Sequence, residues 1–273
     1  MAELSKGQKA AQEEFKPFIA GCNRLDIGQP LHWLSRGWAD YKRSPLASSI
    51  YGLVVVLVSY LIFGVAWSLG SFTVAIAMLS AFIFVAPTLC IGLYSVSRQL
   101  KRYPEVDFPK TVRHGFRAYG ELSIFVIVMI VIALLWARAA SMIHVFFPLG
   151  EEALSGLVTF LLVGSAVGSI FVTVVFSVSA FSLPMVMDKK VDMLTCCISS
   201  INAVLRNKTT MMVWAGLIVF FMAVGIVTMF LGFMVIIPLL GYATWHSYRD
   251  TLNADAWEDR INEFKIKKQP EAL

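Results

Sequence analysis

The stretch "LASSIYGLVVVLVSYLIFGVAWSLGSFTVAIAMLSAFIFVAPTLCIGLY", residues Leu46 to Tyr94, contains no Asp, Glu, Lys or Arg. A helix rises about 1.5 Å per residue, so about 20 apolar residues cover the roughly 30 Å of a bilayer's hydrocarbon. The stretch holds two runs of that kind, Leu46 to Leu69 and Phe72 to Tyr94, parted by Gly70 and Ser71. So short a joint predicts a tight helical hairpin across a membrane.

Four more runs follow: Leu122 to Ile143, Leu157 to Phe181, Met211 to Leu231 and Phe233 to Tyr248. Apolar residues make up 58% of the 273 positions and charged residues 15%, against roughly 45 to 50% and about 25% in soluble domains. The expected fold is all-α and polytopic, with six transmembrane helices paired as three hairpins. The first forty residues mix both signs of charge and lack an apolar signal core, so no cleaved signal peptide is expected.

The basic residues set the orientation. Of the 23 Lys and Arg, 22 lie before Leu46, between Arg98 and Arg117, between Lys189 and Lys208, or from Arg249 onward. These segments share one face, and the positive-inside rule makes it cytoplasmic, with both termini on that side. The net charge of +5 is thereby a topology signal that requires no nucleic acid, and it suits anionic lipid headgroups. Cys22, Cys90, Cys196 and Cys197 fall in or near these segments, where thiols stay reduced. No CxxC spacing indicates a zinc site.

Each hairpin is preceded by a polar segment with helical spacing. Leu31, Leu34, Trp38 and Tyr41 share one helical face after Pro30, with Trp33 beside them. This predicts an interfacial amphipathic helix near 30–43. Comparable segments lie near 107–119 and 192–207, so the chain reads as three copies of one unit. The expected layout is a polar tail over 1–29, one membrane domain over 30–252 and a charged tail over 253–273. The charge of "EDRINEFKIKKQPEAL" suggests an exposed amphipathic or disordered end.

The units share an exit pattern. Pro87 is followed at +7 and +11 by Tyr94 and Arg98, and Pro238 by Trp245 and Arg249, while Pro184 is followed sooner by Asp188, Lys189 and Lys190. The polar cluster "GYATWHSYRDTL", 241–252, reads first as an interfacial anchor, with Trp and Tyr at headgroup depth and Asp250 in reach of His246 one turn back. Its functional alternative is a ligand or lipid site built from Arg98, Trp245, His246, Arg249 and Asp250.

Arg138 is the one Lys or Arg outside the four basic segments, an intramembrane charge that can snorkel outward or pair with Glu151 or Glu152. Gly164, Ser165, Gly168, Ser169, Thr173 and Ser177 form a small-residue stripe expected to pack against another helix. No histidine pair has ligand spacing within one helix, and the methionines suit apolar packing, so neither metal nor other cofactor is expected. Catalytic signatures such as GxSxG, HExxH or a P-loop do not occur.

The motifs "HWLSRGWADYKRSPLASSIYG", "GLYSVSRQL", "FSLPMVMDKKVD" and "GYATWHSYRD" together resemble the bacterial integral membrane proteins catalogued as domain of unknown function twenty-one eighty-nine, over about Leu25 to Leu252. The resemblance implies a proteobacterial inner-membrane protein with six helices and no established activity, and it supplies no catalytic residue. Members more often carry His where this chain has Tyr242.

Three functions compete. The first is a non-enzymatic accessory or scaffold subunit that binds membrane proteins, a second copy of itself, or lipids. The second is a transporter or lipid-translocating protein with a basic entrance at Arg98, Trp245, His246 and Arg249. The third, a lipid-headgroup enzyme, would draw on scattered groups such as Asp188, Asp192, His246 and Asp250.

Overall fold

The computed structural model describes residues 17–68, 90–101, 119–146 and 154–260. The helices are α1 (Gln29–Arg43), α2 (Pro45–Ser68), α3 (Ile91–Leu100), α4 (Tyr119–Phe146), α5 (Leu154–Asp188), α6 (Met193–Arg206), α7 (Lys208–Val227) and α8 (Phe233–Thr251). A two-residue strand β1 (Gly21–Cys22) pairs antiparallel with β2 (Leu252–Asn253). Among the described residues, four spans are long and apolar enough to cross a membrane: Pro45–Val65, Gly120–Ile143, Val158–Asp188 and Lys208–Val227. The second expected crossing lies outside the described residues up to Leu89, as do most of the interfacial segment near 107–119 and Glu151 and Glu152.

Where the fifth and sixth runs meet, α7 stops at Val227 rather than Leu231. Met229 N–H donates to the Ile226 carbonyl and Phe230 N–H to the Gly225 carbonyl, both at 2.9 Å, which satisfies carbonyls left open at the helix end. Met229 and Phe230 adopt φ of 54° and 67°, a left-handed pair that glycine usually supplies. Phe233 packs back on Gly225, where a Cβ would meet the ring at 1.9 Å.

The helices join at one polar end. There α1 turns Pro30, Trp33, Gly37 and Asp40 inward, and it crosses α8 so closely that a Cβ on Gly37 would meet Ala243 N and Leu239 O at 2.9 Å. Of the apolar stripe seen in the sequence, Leu31 at 61% and Trp38 at 41% are exposed, while Leu34 and Tyr41 are half-buried against the core. Trp38 stacks on Tyr41 and lies under the Lys42 ammonium. Trp33 packs edge-on against Trp214 of α7.

One side chain is inserted into the backbone ladder of α5. Ser200 Oγ accepts from Phe181 N–H at 3.1 Å and donates to the Ser177 carbonyl at 2.7 Å, one turn before Pro184, which has no N–H to donate. α6 is capped twice: Asp192 accepts from Thr195 N–H, and Glu121 of α4 accepts from Met193 N–H, both at 2.8 Å.

Part of each expected tail is folded. Ala20 N–H donates to Ser199 Oγ, Asn23 N–H to the Thr251 carbonyl and Leu25 N–H to Asn207 Oδ1, each at 2.9 Å. On the other side Trp257 is buried, and Arg260 hydrogen-bonds the Val186, Lys189 and Val191 carbonyls. Of "EDRINEFKIKKQPEAL", residues 258–260 lie against the end of α5, where Lys190 N–H donates to the Glu258 carbonyl and Lys189 pairs with Asp259 while the Glu258 side chain stays exposed, and the rest lies outside the described residues.

Candidate functional site

The C-terminal ends of α3, α5 and α8 meet at the polar end. Asp188, at the end of α5, is buried, and its Oδ2 accepts from Tyr248 Oη at 3.0 Å and from Arg249 at 3.1 Å. Arg98 Nε lies 3.5 Å from Oδ1, and Arg98 also donates to the Met187 carbonyl at 3.0 Å. The two arginines that follow Pro87 and Pro238 by the same spacing therefore converge on the acid that follows Pro184. One buried carboxylate held between two guanidiniums needs all of its partners.

A second acid stands beside it. Asp40 Oδ2 accepts from Ser97 Oγ at 2.7 Å and lies 2.9 Å from His246 Nε2. Serine and histidine both address the one carboxylate oxygen, so this is not a nucleophile–base relay, in which the base would hold the hydroxyl. A third acid, Asp250, accepts from Gln29 and from the Trp33 indole at 2.9 Å and from both terminal nitrogens of Arg36. Burial alone would raise the Asp250 carboxyl. The Arg36 and Gln29 bonds, the Arg36 charge and the Trp33 bond outweigh it and hold the group below the usual carboxylate value.

The expected Asp250–His246 pair does not form. Each side chain instead reaches α1, His246 to Asp40 and Asp250 to Arg36, because α1 crosses α8 close enough to supply a shielded partner to both. Trp245 and Tyr248 are 3% and 1% exposed, packed against each other at 5.6 Å rather than set in a lipid-facing belt. The expected stripe on α5 also comes apart. Gly168 faces Trp136 and Ser177 is buried, whereas Ser165, Ser169 and Thr173 are exposed, and the last two bond carbonyls of their own helix. Gly164 has open space beside it. Arg138 is exposed and has no partner among the described residues.

The thiols are set for packing rather than reaction. Burial, with the neighbouring Cys197, pushes Cys196 well up, and burial takes Cys197 up to about 11 against a Ser182 hydrogen bond, so the reactive thiolate is scarce. Cys22 is raised by burial despite Asn207 and Arg206. No group of three or more His, Cys, Asp or Glu side chains is placed to hold a metal among the described residues.

Sequence reading missed Asp40, Arg36 and Trp33. Their signal was a second face of α1: Trp33, Gly37 and Asp40 stand at i, i+4 and i+7, a face with one aromatic, one gap and one acid that the neighbouring leucine stripe overshadows.

The family model described as predicted integral membrane protein (DUF2189) matches residues 74–188. That bears out the resemblance over a narrower stretch than Leu25 to Leu252, and it makes this chain an integral membrane protein with several apolar helices. The matched stretch includes α3, Asp188 and the whole of α5, while α1 and α8 lie beyond it. No curated protein and no solved structure matches the chain.

Proposed function

We propose that this protein is a non-enzymatic accessory or scaffold subunit of a bacterial cytoplasmic membrane, crossing it six times with both termini inside, and binding membrane proteins or lipids. One observation carries the reading: the polar groups that a catalyst or entrance would present to a substrate are joined to one another. Arg98 and Arg249 hold Asp188, His246 holds Asp40, and Arg36 holds Asp250. Such closed pairs position helices and give them a unique packing. Translocation through the Arg98–Arg249 mouth would require both arginines to leave Asp188 during each cycle.

The outer surface supports the same reading. The exposed residues of α2 and α5 are apolar over most of their length, a surface for lipid or for another membrane helix. Native mass spectrometry of the protein extracted in mild detergent should show a stoichiometric protein partner or a second copy, or retained lipid. A bare monomer that moves lipid or solute in reconstituted vesicles would overturn the proposal in favour of a transporter.

A further inference from the structure

Away from the junction, a cavity of about 410 Å3 opens beside β1 and the end of α6, lined by Cys22, Asn23, Arg24 and Arg206. Its volume lies in the range of small-molecule sites, about 300 to 1,000 Å3. Arg24 and Arg206 are exposed, and neither makes a hydrogen bond or an ion pair among the described residues. This separates them from Arg36, Arg98, Arg249 and Arg260, each committed to a carboxylate or to backbone carbonyls.

Their backbone is not free to drift. Asn23 N–H is held by the Thr251 carbonyl, Asn23 Nδ2 by the Asp250 carbonyl and Leu25 N–H by Asn207 Oδ1, which fixes both neighbours of Arg24. Asn207 follows Arg206 directly and returns Nδ2 hydrogen bonds to the Asn23 and Ala203 carbonyls at 3.0 and 3.2 Å. One asparagine thus ties the two arginine-bearing backbones together. Of the neighbouring acids, Asp250 is occupied by Arg36, and Asp26 is exposed two residues past Arg24. Close to them in sequence, Lys208 is exposed, as are Leu205 at 56% and Ile27 at 61%.

We propose that Arg24 and Arg206 clamp a phosphate group in this cavity. Two guanidiniums on a fixed frame match phosphate, which arginine holds through paired N–H donors. The group can belong to an anionic lipid headgroup, whose chains Leu205 and Ile27 would meet, or to free phosphate. The lipid source rests on the lipid-binding part of the function proposed above.

The test titrates the purified full-length protein, in detergent, with phosphatidylglycerol, with phosphatidylcholine and with inorganic phosphate, read by native mass spectrometry and by thermal unfolding. Arg24→Gln and Arg206→Gln, singly and together, are compared with Arg138→Gln as a control for general charge. Loss of phosphatidylglycerol affinity by about tenfold or more in each single variant, with Arg138→Gln unchanged, supports a lipid site. Arginine-dependent binding of inorganic phosphate without a preference for phosphatidylglycerol supports the clamp with free phosphate as its ligand. Equal binding of every probe to the wild type and the folded double variant overturns the clamp. A protein partner retained by that double variant would leave the scaffold reading standing.

Discussion

Helix α5 is one continuous helix in two environments. From Val158 to Val174 no residue is buried, and the hydroxyls of Ser169 and Thr173 turn back to their own helix. From Ser177 to Lys189 every residue but Ser179 is buried, on all sides of the helix. The exposed stretch is about 26 Å long at 1.5 Å per residue, close to the roughly 30 Å of a bilayer's hydrocarbon. The change near Ser177 therefore marks where an exposed apolar surface, suited to lipid or to another membrane helix, gives way to one enclosed by the protein's own helices. In the first part polar groups must be satisfied within the helix; in the second they are satisfied by other helices.

The largest way to break this contrast is to remove the acid at the end of the buried part. Asp188→Ala leaves Arg98, Arg249 and Tyr248 without their shared acceptor, and loss of one partner from a buried pair costs about 3 to 5 kcal/mol. Thermal unfolding in mild detergent should show this as the greatest destabilisation of the set. A midpoint like that of the wild type would mean that the three exits are held by packing alone.

Next in size is Gly37→Val, which puts side-chain atoms where Ala243 N and Leu239 O stand 2.9 Å from a Cβ. The neighbours there are backbone and yield little, so overpacking of about 1 to 3 kcal/mol is expected. Limited proteolysis near Gly28 should then accelerate as α1 lifts from α8.

A smaller effect separates the Asp250 pair by pH. Its carboxyl is held below the ordinary value in the folded protein, against about 3.9 unfolded. The stabilisation is thus complete above the unfolded value and is lost as pH falls through the lower, folded value. Asp250→Asn should remove that acid-dependent part and cost on the order of 1 kcal/mol at neutral pH, because Arg36 is 42% exposed and solvent screens the pair. Melting curves of the two proteins that differ by the same amount at every pH would count against this assignment.

The smallest change belongs to the lipid-facing part. Ser169→Ala and Thr173→Val remove hydroxyls that reach only their own helix, and the expected shift is within about 0.5 kcal/mol. A large shift in native membranes but not in detergent would reveal a helix seated on this surface.

The contrast also explains what the sequence makes legible. Crossings such as Pro45–Val65 and Gly120–Ile143 follow from hydropathy, which is a property of consecutive residues. The convergence of Arg98, Asp188 and Arg249 depends on how α3, α5 and α8 pack together, and their shared spacing after proline signals equivalence without signalling contact. The Asp250–His246 expectation failed for the same reason, since a one-turn neighbour is visible in sequence and α1 as a competing partner is not. On α1 the leucine stripe was readable, but in a membrane protein an apolar face can meet lipid as readily as core, and here the packed face is the one with Trp33, Gly37 and Asp40.

The β1–β2 pair carries a consequence for biogenesis. Residues 20–26 leave the ribosome before every helix they finally touch, and their partners on α6, α8 and β2 emerge much later. The Ala20 and Leu25 amides wait for Ser199 of α6 and for Asn207, and until the last helix has docked the Asn23 amide and the Trp33 indole lack their acceptors on α8 and Asp40 lacks its His246 partner. The early segment is thus closed last: a chain truncated within α8 would leave it without the β2 strand and the Thr251 and Asp250 carbonyls that hold it.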